Sequence, residues 1–382
     1  PEHTVRADGV INSDFGSIVN IFKSIDDEEK IDYYNDGLVR WLGAFGQIEY
    51  TNGVVSGFLQ GGISQQGFKR IDYFNYLDSD PEQETDYENI LGGNIKGGAN
   101  FNINEANNVF FNAGYYSKQP LFDAVYLNFV NELNPDLTNE KILGLELGYG
   151  LNLGDFRAKV NLYRTSWKDR FQRISIETPA GDEGSANITG IEQIHQGVEI
   201  EANYRASDVV QFRGMLSYGN WEYGGNASGA ALDDERNVID PDVTLFLDGV
   251  KVGDAAQFTT NLEMIVRPVE NLKLSANLYS ASRLFARINA DDFDAADNDG
   301  SLRLPSYTLM DFGAYYTFNF GGSNALSIAA NLNNAFDTEY IAESLTNSFA
   351  GPGDSTFRGL NTDNKVFFGF GRTWNVSARY SF

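Results

Sequence analysis

Cysteine is absent from this 382-residue chain, so disulfides, thiolate metal sites and cysteine nucleophiles are all excluded. Histidine is almost absent: His3 and His195 are too few for a zinc centre or a histidine-based triad. No phosphate-binding glycine loop and no G-x-S-x-G turn occurs, and no enzymatic activity is expected. Bases are scarce, 28 against 53 acids, for a net charge of −25. That balance argues against a nucleic-acid partner and against anchoring by basic residues on anionic lipid. No run of 18 apolar residues exists, which excludes helical membrane spans, and mean hydropathy is −0.33. The chain shows neither an initiator Met nor a signal peptide, as expected of a mature, trimmed or partial chain.

What is present is a high aromatic content (14%), 39 glycines and a strict period of two. From Val366 to Phe382 the even positions are Val, Phe, Phe, Arg, Trp, Val, Ala, Tyr and Phe. The odd positions are polar or glycine except Phe367. Such alternation predicts a β-strand with one greasy and one wet face. Val376, Ala378, Tyr380 and Phe382, ending on an aromatic, are the expected membrane-assembly signal. The pattern recurs at Leu42–Tyr50, Leu145–Leu151, Val198–Tyr204, Leu272–Leu278 and Met310–Phe318.

Tight Gly/Asn/Asp connections, such as Thr51-Asn52-Gly53 and Gly154-Asp155, alternate with long ones at 71–88, 118–138, 171–188, 225–253, 288–302 and 336–365. Strands much longer than the roughly 5–6 residues of soluble sheets, with short turns at one rim and long loops at the other, predict a transmembrane antiparallel β-barrel. A soluble all-β sandwich or propeller fits neither feature.

From about Lys30 onward the sequence resembles the second half of the barrel of a TonB-dependent outer-membrane receptor, of the larger kind with an extra amino-terminal β-sandwich domain. The carriers are Asp36–Tyr50 (DGLVRWLGAFGQIEY), His195–Glu201 (HQGVEIE), Asn331–Tyr340 (NLNNAFDTEY) and Phe367–Phe382. The resemblance implies a bacterial outer-membrane importer of a scarce or bulky ligand (siderophore, vitamin, glycan or peptide), driven through the TonB energy-coupling complex. It also implies a plug domain and TonB-box segment ahead of the barrel. Neither is visible here, so the plug and the early strands are expected on another segment or chain. Outer-membrane lipid is the remaining implied partner, with a surface lipoprotein left open. The competing expectation is a scaffold barrel subunit of a larger outer-membrane complex, without transport.

Counting back from the terminus gives thirteen strands, near 38–50, 54–70, 89–103, 107–118, 139–152, 155–170, 189–205, 208–224, 254–267, 271–286, 303–320, 325–335 and 366–382, with residues 1–37 a loop segment. Thirteen antiparallel strands cannot close, because the two edges run parallel. The expectation is therefore the later part of a barrel of 22 strands. A fourteenth strand at Ser17–Ile25, making a complete pore, is the alternative.

Glu49, Glu146, Arg157, Lys159, Glu199, Glu201 and Asp311 fall on the predicted wet face, with Lys96, Glu263, Lys273 and Arg379. Such groups solvate the wall, seat a plug or line a solute path. Glu199 and Glu201 share a face in the manner of a catalytic acid pair, but a plug contact is the expected role. Tyr73, Phe74, Tyr76, Trp167, Phe171, Trp221 and Tyr223 lie near strand ends, where aromatics form the interfacial belt or touch ligand. No resident cofactor or metal is expected. Calcium in the acidic loops, at Asp26–Glu29, Asp78–Asp86, Asp233–Glu235, Asp240–Asp242 and Asp291–Asp299, is the one candidate ion. The stretch Ala295–Gly300 fails the EF-hand pattern, since Ala295 takes the first ligand position.

Overall fold

A computed structural model describes residues 34–127, 130–177, 183–233 and 237–382. The proposed strand at 17–25 and the acidic run Asp26–Glu29 lie outside the described residues, as do 234 and 235 of the third acidic run. Among the described residues the chain is all-β but for one short helix. Strands β1 to β4 are Asn35–Thr51, Val55–Asp72, Glu88–Asn102 and Asn107–Lys118, followed by helix α1 (Phe122–Val125). Next come β5 (Glu140–Asn152), β6 (Phe156–Glu177), β7 (Glu183–Arg205), β8 (Val210–Tyr223), β9 (Ala227–Leu232) and β10 (Val238–Leu245). The remainder are β11 (Phe258–Val269), β12 (Leu272–Ser282), β13 (Tyr307–Gly321), β14 (Asn324–Asn333), β15 (Ile341–Ser344), β16 (Thr356–Phe357), β17 (Leu360–Asn361), β18 (Val366–Phe368) and β19 (Thr373–Ser381).

Hydrogen-bonded neighbours run β1-β2-β3-β4-β5-β6-β7-β8-β11-β12-β13-β14-β19, the thirteen strands expected, with β9 and β10 attached off this path. The register explains the alternation. Leu326, Ile328, Ala330 and Leu332 of β14 face Tyr380, Ala378, Val376 and Trp374 of β19, while Ser327, Asn331 and Asn333 face Arg379, Asn375 and Thr373. Over most of the ladders from β5 to β19 like rows meet like rows, so one face is mainly apolar and the other mainly polar; Leu143 and Leu145 of β5, opposite Ser166 and Arg164, are exceptions. A one-residue slip would mix the rows, which fixes the pairing. At the tight turns the side chains close the chain locally: Asn52 Oδ1 accepts from the Val54 and Val55 amides at 3.1 and 2.8 Å.

Three expectations are corrected. Residues 171–188 are not simply a loop: β6 and β7 continue their ladder out to Glu177 and Glu183, past bulges between Trp167 and Gln172. Segment 225–253 is likewise partly sheet, because β9 pairs with the β7 extension and with β10. The last strand is broken. Val366–Phe368 pairs with β15 in a separate small sheet, and only Thr373–Ser381 pairs with β14. The break is built by the Asn331–Tyr340 motif. Asn334, at φ 45°, donates from its backbone to Asp311 Oδ1 (2.8 Å) and from its side chain to the Phe370 carbonyl (3.2 Å). Asp337 Oδ1 accepts the Arg372 amide at 2.7 Å. Tyr340 lies where a side chain on Gly369 would sit, 1.9 Å from an ideal Cβ, so residue 369 has to be glycine while Tyr340 stays in place.

The chain divides into two compact units. Of the described residues, one comprises Tyr34–Gly46, Gly61–Ile95 and Tyr116–Glu140. Its core is Phe68, Val125 and Tyr126, packed by Ile90, Phe122 and Leu137. The other holds the remaining residues and two buried clusters. The larger joins Ile174, Ile188, Ile191, Leu245, Leu247 and Phe293, among others, from the β6–β7 extension and the loops beside it. The smaller is built on Leu284, Ala286, Leu302, Leu304, Ile341 and Leu360.

Candidate functional site

The polar rows bring several of the expected residues together. In the second unit, Glu49 of β1, Lys96 of β3 and Lys159 of β6 line a concavity of about 1050 Å³ with Asn100, Asn108 and Phe110. Gln47 donates to Glu49 there, and Lys159 Nζ lies 5.0 Å from the Phe110 ring centre. Lys159 also lines a second concavity, of about 420 Å³, with Arg157, Glu201, Arg213 and Glu263. Arg213 Nη1 lies 3.5 Å from Glu263 Oε2, and Lys159 is directly opposite Glu201 in the ladder. Charges of both signs thus alternate across four adjacent strands.

Glu146, Glu199 and Asp311 do not themselves line these two concavities, although Asn112, the partner of Glu146, lines the first. Glu146 accepts from Asn112 Nδ2 at 3.0 Å, and Glu199 accepts from Asn161 Nδ2 at 3.4 Å. Asp311 accepts from the Asn334 amide, which makes it an anchor of the β14 exit.

The aromatic candidates separate as well. Trp167 and Trp221 occupy odd positions of β6 and β8, the polar rows, so they are not part of an interfacial belt on the apolar face. They enclose His195: its ring lies 4.6 Å from Trp167 edge-on and 5.2 Å from Trp221 in a stack. Trp221 Nε1 donates to the Tyr163 hydroxyl at 2.8 Å. Tyr223 is on the same face and is buried, while Phe171 is half-buried on the β6 extension. His195 and Tyr163 complete a group that residue type alone did not single out, although their odd numbers already place them on the polar face.

Tyr73 and Tyr76 belong to the first unit, in the 73–87 connection. Tyr73 donates to Asp36 Oδ2 at 3.2 Å, and its ring is 4.7 Å from that of Tyr34. Burial, then the negative charge of Glu82, raises the Tyr76 phenol above its ordinary value. At the loop end of β2, Arg70 Nη1 pairs with Asp72 at 2.9 Å, both almost wholly buried. Burial alone would raise the Asp72 carboxyl. The side chain and amide of Asn75, the Phe74 amide and the charge of Arg70 together outweigh it, so the carboxyl is held below its ordinary value.

Among the described residues, no group of three or more His, Asp or Glu is arranged to hold a metal ion. Several loop carboxylates serve the backbone instead. Asp240 caps the Asp242 amide, Asp80 caps Glu82, and Asp292 holds the Asn347 amide at 2.9 Å.

A family model described as TonB dependent receptor-like, beta-barrel, matches residues 17–335. No curated protein matches by sequence. Among solved structures, the chain is similar to the copper transporter OprC, with 14% identity, a TM-score of 0.61, and 91% of this chain and 49% of that one covered. It is also similar to the siderophore receptor PiuA from Acinetobacter baumannii, with 14% identity, a TM-score of 0.59 and coverage of 91% and 44%. The FrpB iron transporter from Neisseria meningitidis aligns with 15% identity, a TM-score of 0.57 and coverage of 96% and 49%. The chain spans about half the length of these structures.

Proposed function

The chain belongs to the TonB-dependent receptor-like β-barrel family, a family of the bacterial outer membrane, and from that premise we propose that it supplies the wall and ligand-capturing loops of an energised importer. One observation carries this reading: polar and apolar rows are matched across the ladders from β5 to β19 of a thirteen-strand path. In an outer-membrane barrel the apolar rows meet lipid and the polar rows meet the interior. The mixed-charge concavities around Lys159 suit the seat of a plug, since a surface carrying both signs binds a polar partner without needing a hydrophobic one. The loop end, with aromatic rings on the polar face, suits first capture of the ligand.

The ligand is scarce or bulky: a metal chelate, vitamin, glycan or peptide. Metal chelates come first, because the structurally similar proteins include a copper transporter and a siderophore receptor. Force from the inner membrane reaches the plug through TonB, the plug rearranges, and the ligand passes along the polar rows. Uptake of a labelled panel (ferric siderophores, copper, a corrinoid, oligosaccharides, peptides) is compared in cells lacking this gene and in cells lacking TonB. Loss of the same uptake in both strains is expected. Uptake that depends on this gene but continues without TonB overturns the reading.

The buried loop clusters also suit a scaffold subunit that docks partners on a preformed surface. Stoichiometric copurifying partners, with no uptake lost from the panel, would favour that alternative.

A further inference from the structure

We propose that a small cavity at the loop end of β6, β7 and β8 is a subsite for one anionic group, a carboxylate or a phosphate, of the captured ligand. The inference rests on reading this end as the ligand-capturing one. The cavity is about 240 Å³ and is lined by Arg170, Gln193, Tyr223, Asp254, Arg287 and Ile288, among others. That is below the roughly 300–1,000 Å³ of a typical small-molecule pocket, so it takes a substituent rather than a whole ligand.

Its charge is the first argument. Two guanidinium groups share the cavity with one carboxylate, in a chain whose net charge is −25. The Arg287 guanidinium, 46% exposed, is the cation that an anion entering this cavity meets.

The second argument is organisation. Arg170 donates to Gln193, which is buried at 4% exposure, and Tyr223 beside them is buried to the same degree. Arg287 donates from Nε to Asp254 Oδ2 at 2.9 Å. Its side chain is still 46% exposed, and its two Nη groups have no partner among the described residues. A guanidinium oriented by one carboxylate, with its remaining donors open, is suited to forked recognition of a second oxyanion.

The third is the backbone beneath it. Asp254 is held at φ 64°, a conformation that disfavours any side chain with a Cβ. At Gly253 an ideal Cβ would stand 2.3 Å from the Ala286 carbonyl oxygen. Close approach of the two segments therefore sets Asp254 against Arg287. Strain retained beside a cavity fits a place where orientation matters.

The neighbourhood extends the ligand class. Gln193 lies opposite Trp167 in the β6–β7 ladder, one layer from His195 and Trp221. An anionic group seated between the arginines leaves the body of its ligand over aromatic rings.

The test uses the full chain refolded in detergent micelles, with tryptophan fluorescence as readout and citrate and inorganic phosphate as separate probes. Saturable binding of at least one probe is expected, and which probe saturates separates carboxylate from phosphate. Arg287→Gln should weaken that binding roughly tenfold, the factor one charge-assisted hydrogen bond supplies. Arg267→Gln, which removes the same charge on β11 away from the cavity, should leave it within about twofold, a change worth only a few tenths of a kcal/mol. Arg170→Gln serves as the second variant should Arg287→Gln fail to fold. Absence of saturable binding by either probe, or equal weakening by the cavity variants and Arg267→Gln, overturns the proposal. The import reading fails separately, through TonB-independent uptake, with this subsite intact.

Discussion

At the loop end, Ile188, Leu245, Leu247 and Phe293 are sealed from solvent, whereas every residue of β19 is exposed and β1 is nearly so. The same chain thus follows two stability rules. β1 and β19 each have a strand on one side only, and on the barrel reading proposed above the wall's order would come from the hydrogen-bonded ladder and from lipid on its apolar face. Residues of the β6–β7 extension, β9 and β10 have no such phase and build an ordinary hydrophobic core. Long loops of a barrel need not be loosely held: among the described residues they carry most of the buried apolar side chains.

The contrast can be broken at three places. The largest effect is expected at Arg70. Arg70→Met leaves Asp72 buried without its ion pair and should cost about 3–5 kcal/mol locally, read as accelerated proteolysis of the 73–87 connection. The pH dependence has a definite sign. The folded Asp72 carboxyl lies below its ordinary value. Its contribution is therefore complete above about pH 4 and declines as the pH falls through the depressed folded value. Asp72→Asn should abolish that acid sensitivity, and an unchanged pH profile would contradict the assignment.

Leu247→Ala should cost about 2–5 kcal/mol, confined to the loop-end core. Hydrogen exchange is expected to speed in β9 and β10 and to hold in the β13–β14 ladder. Equal loss of protection in both would show that the two regions are a single cooperative unit.

Gly369→Ala, at the junction between wall and loop sheet, should cost about 1–3 kcal/mol through overpacking against Tyr340. Adding Tyr340→Ala should recover part of that loss, measured as the thermal shift of folded-form mobility on a gel. Strict additivity of the two changes would argue against the clash.

The wall was legible because its physics is periodic: two faces in different media impose alternation, and that alternation located all thirteen strands of the path. The β6 extension was not legible beyond residue 170. The bulges between Trp167 and Gln172 reset the parity just before Ile174 and Ile176 resume it. The break at 369–372 was hidden for the opposite reason, since Phe370 and Arg372 continue an unbroken count while Asn334, Asp337 and Tyr340, far away in sequence, interrupt the pairing. At the candidate site, parity alone was enough to put Trp167, His195 and Trp221 on one face. The cavity of Arg170, Asp254 and Arg287 draws on three separate segments, and no local pattern could bring them together.

The interrupted terminal strand has one more consequence. Val366–Phe368 is committed to β15 and Thr373–Ser381 to β14, with four residues between them. Sliding β19 by one position along β14 would therefore tear or drag a ladder in another sheet. The small loop sheet acts as a ruler: it measures where the edge strand must begin, and it makes the alignment of the wall's last seam depend on a hairpin that never enters the wall.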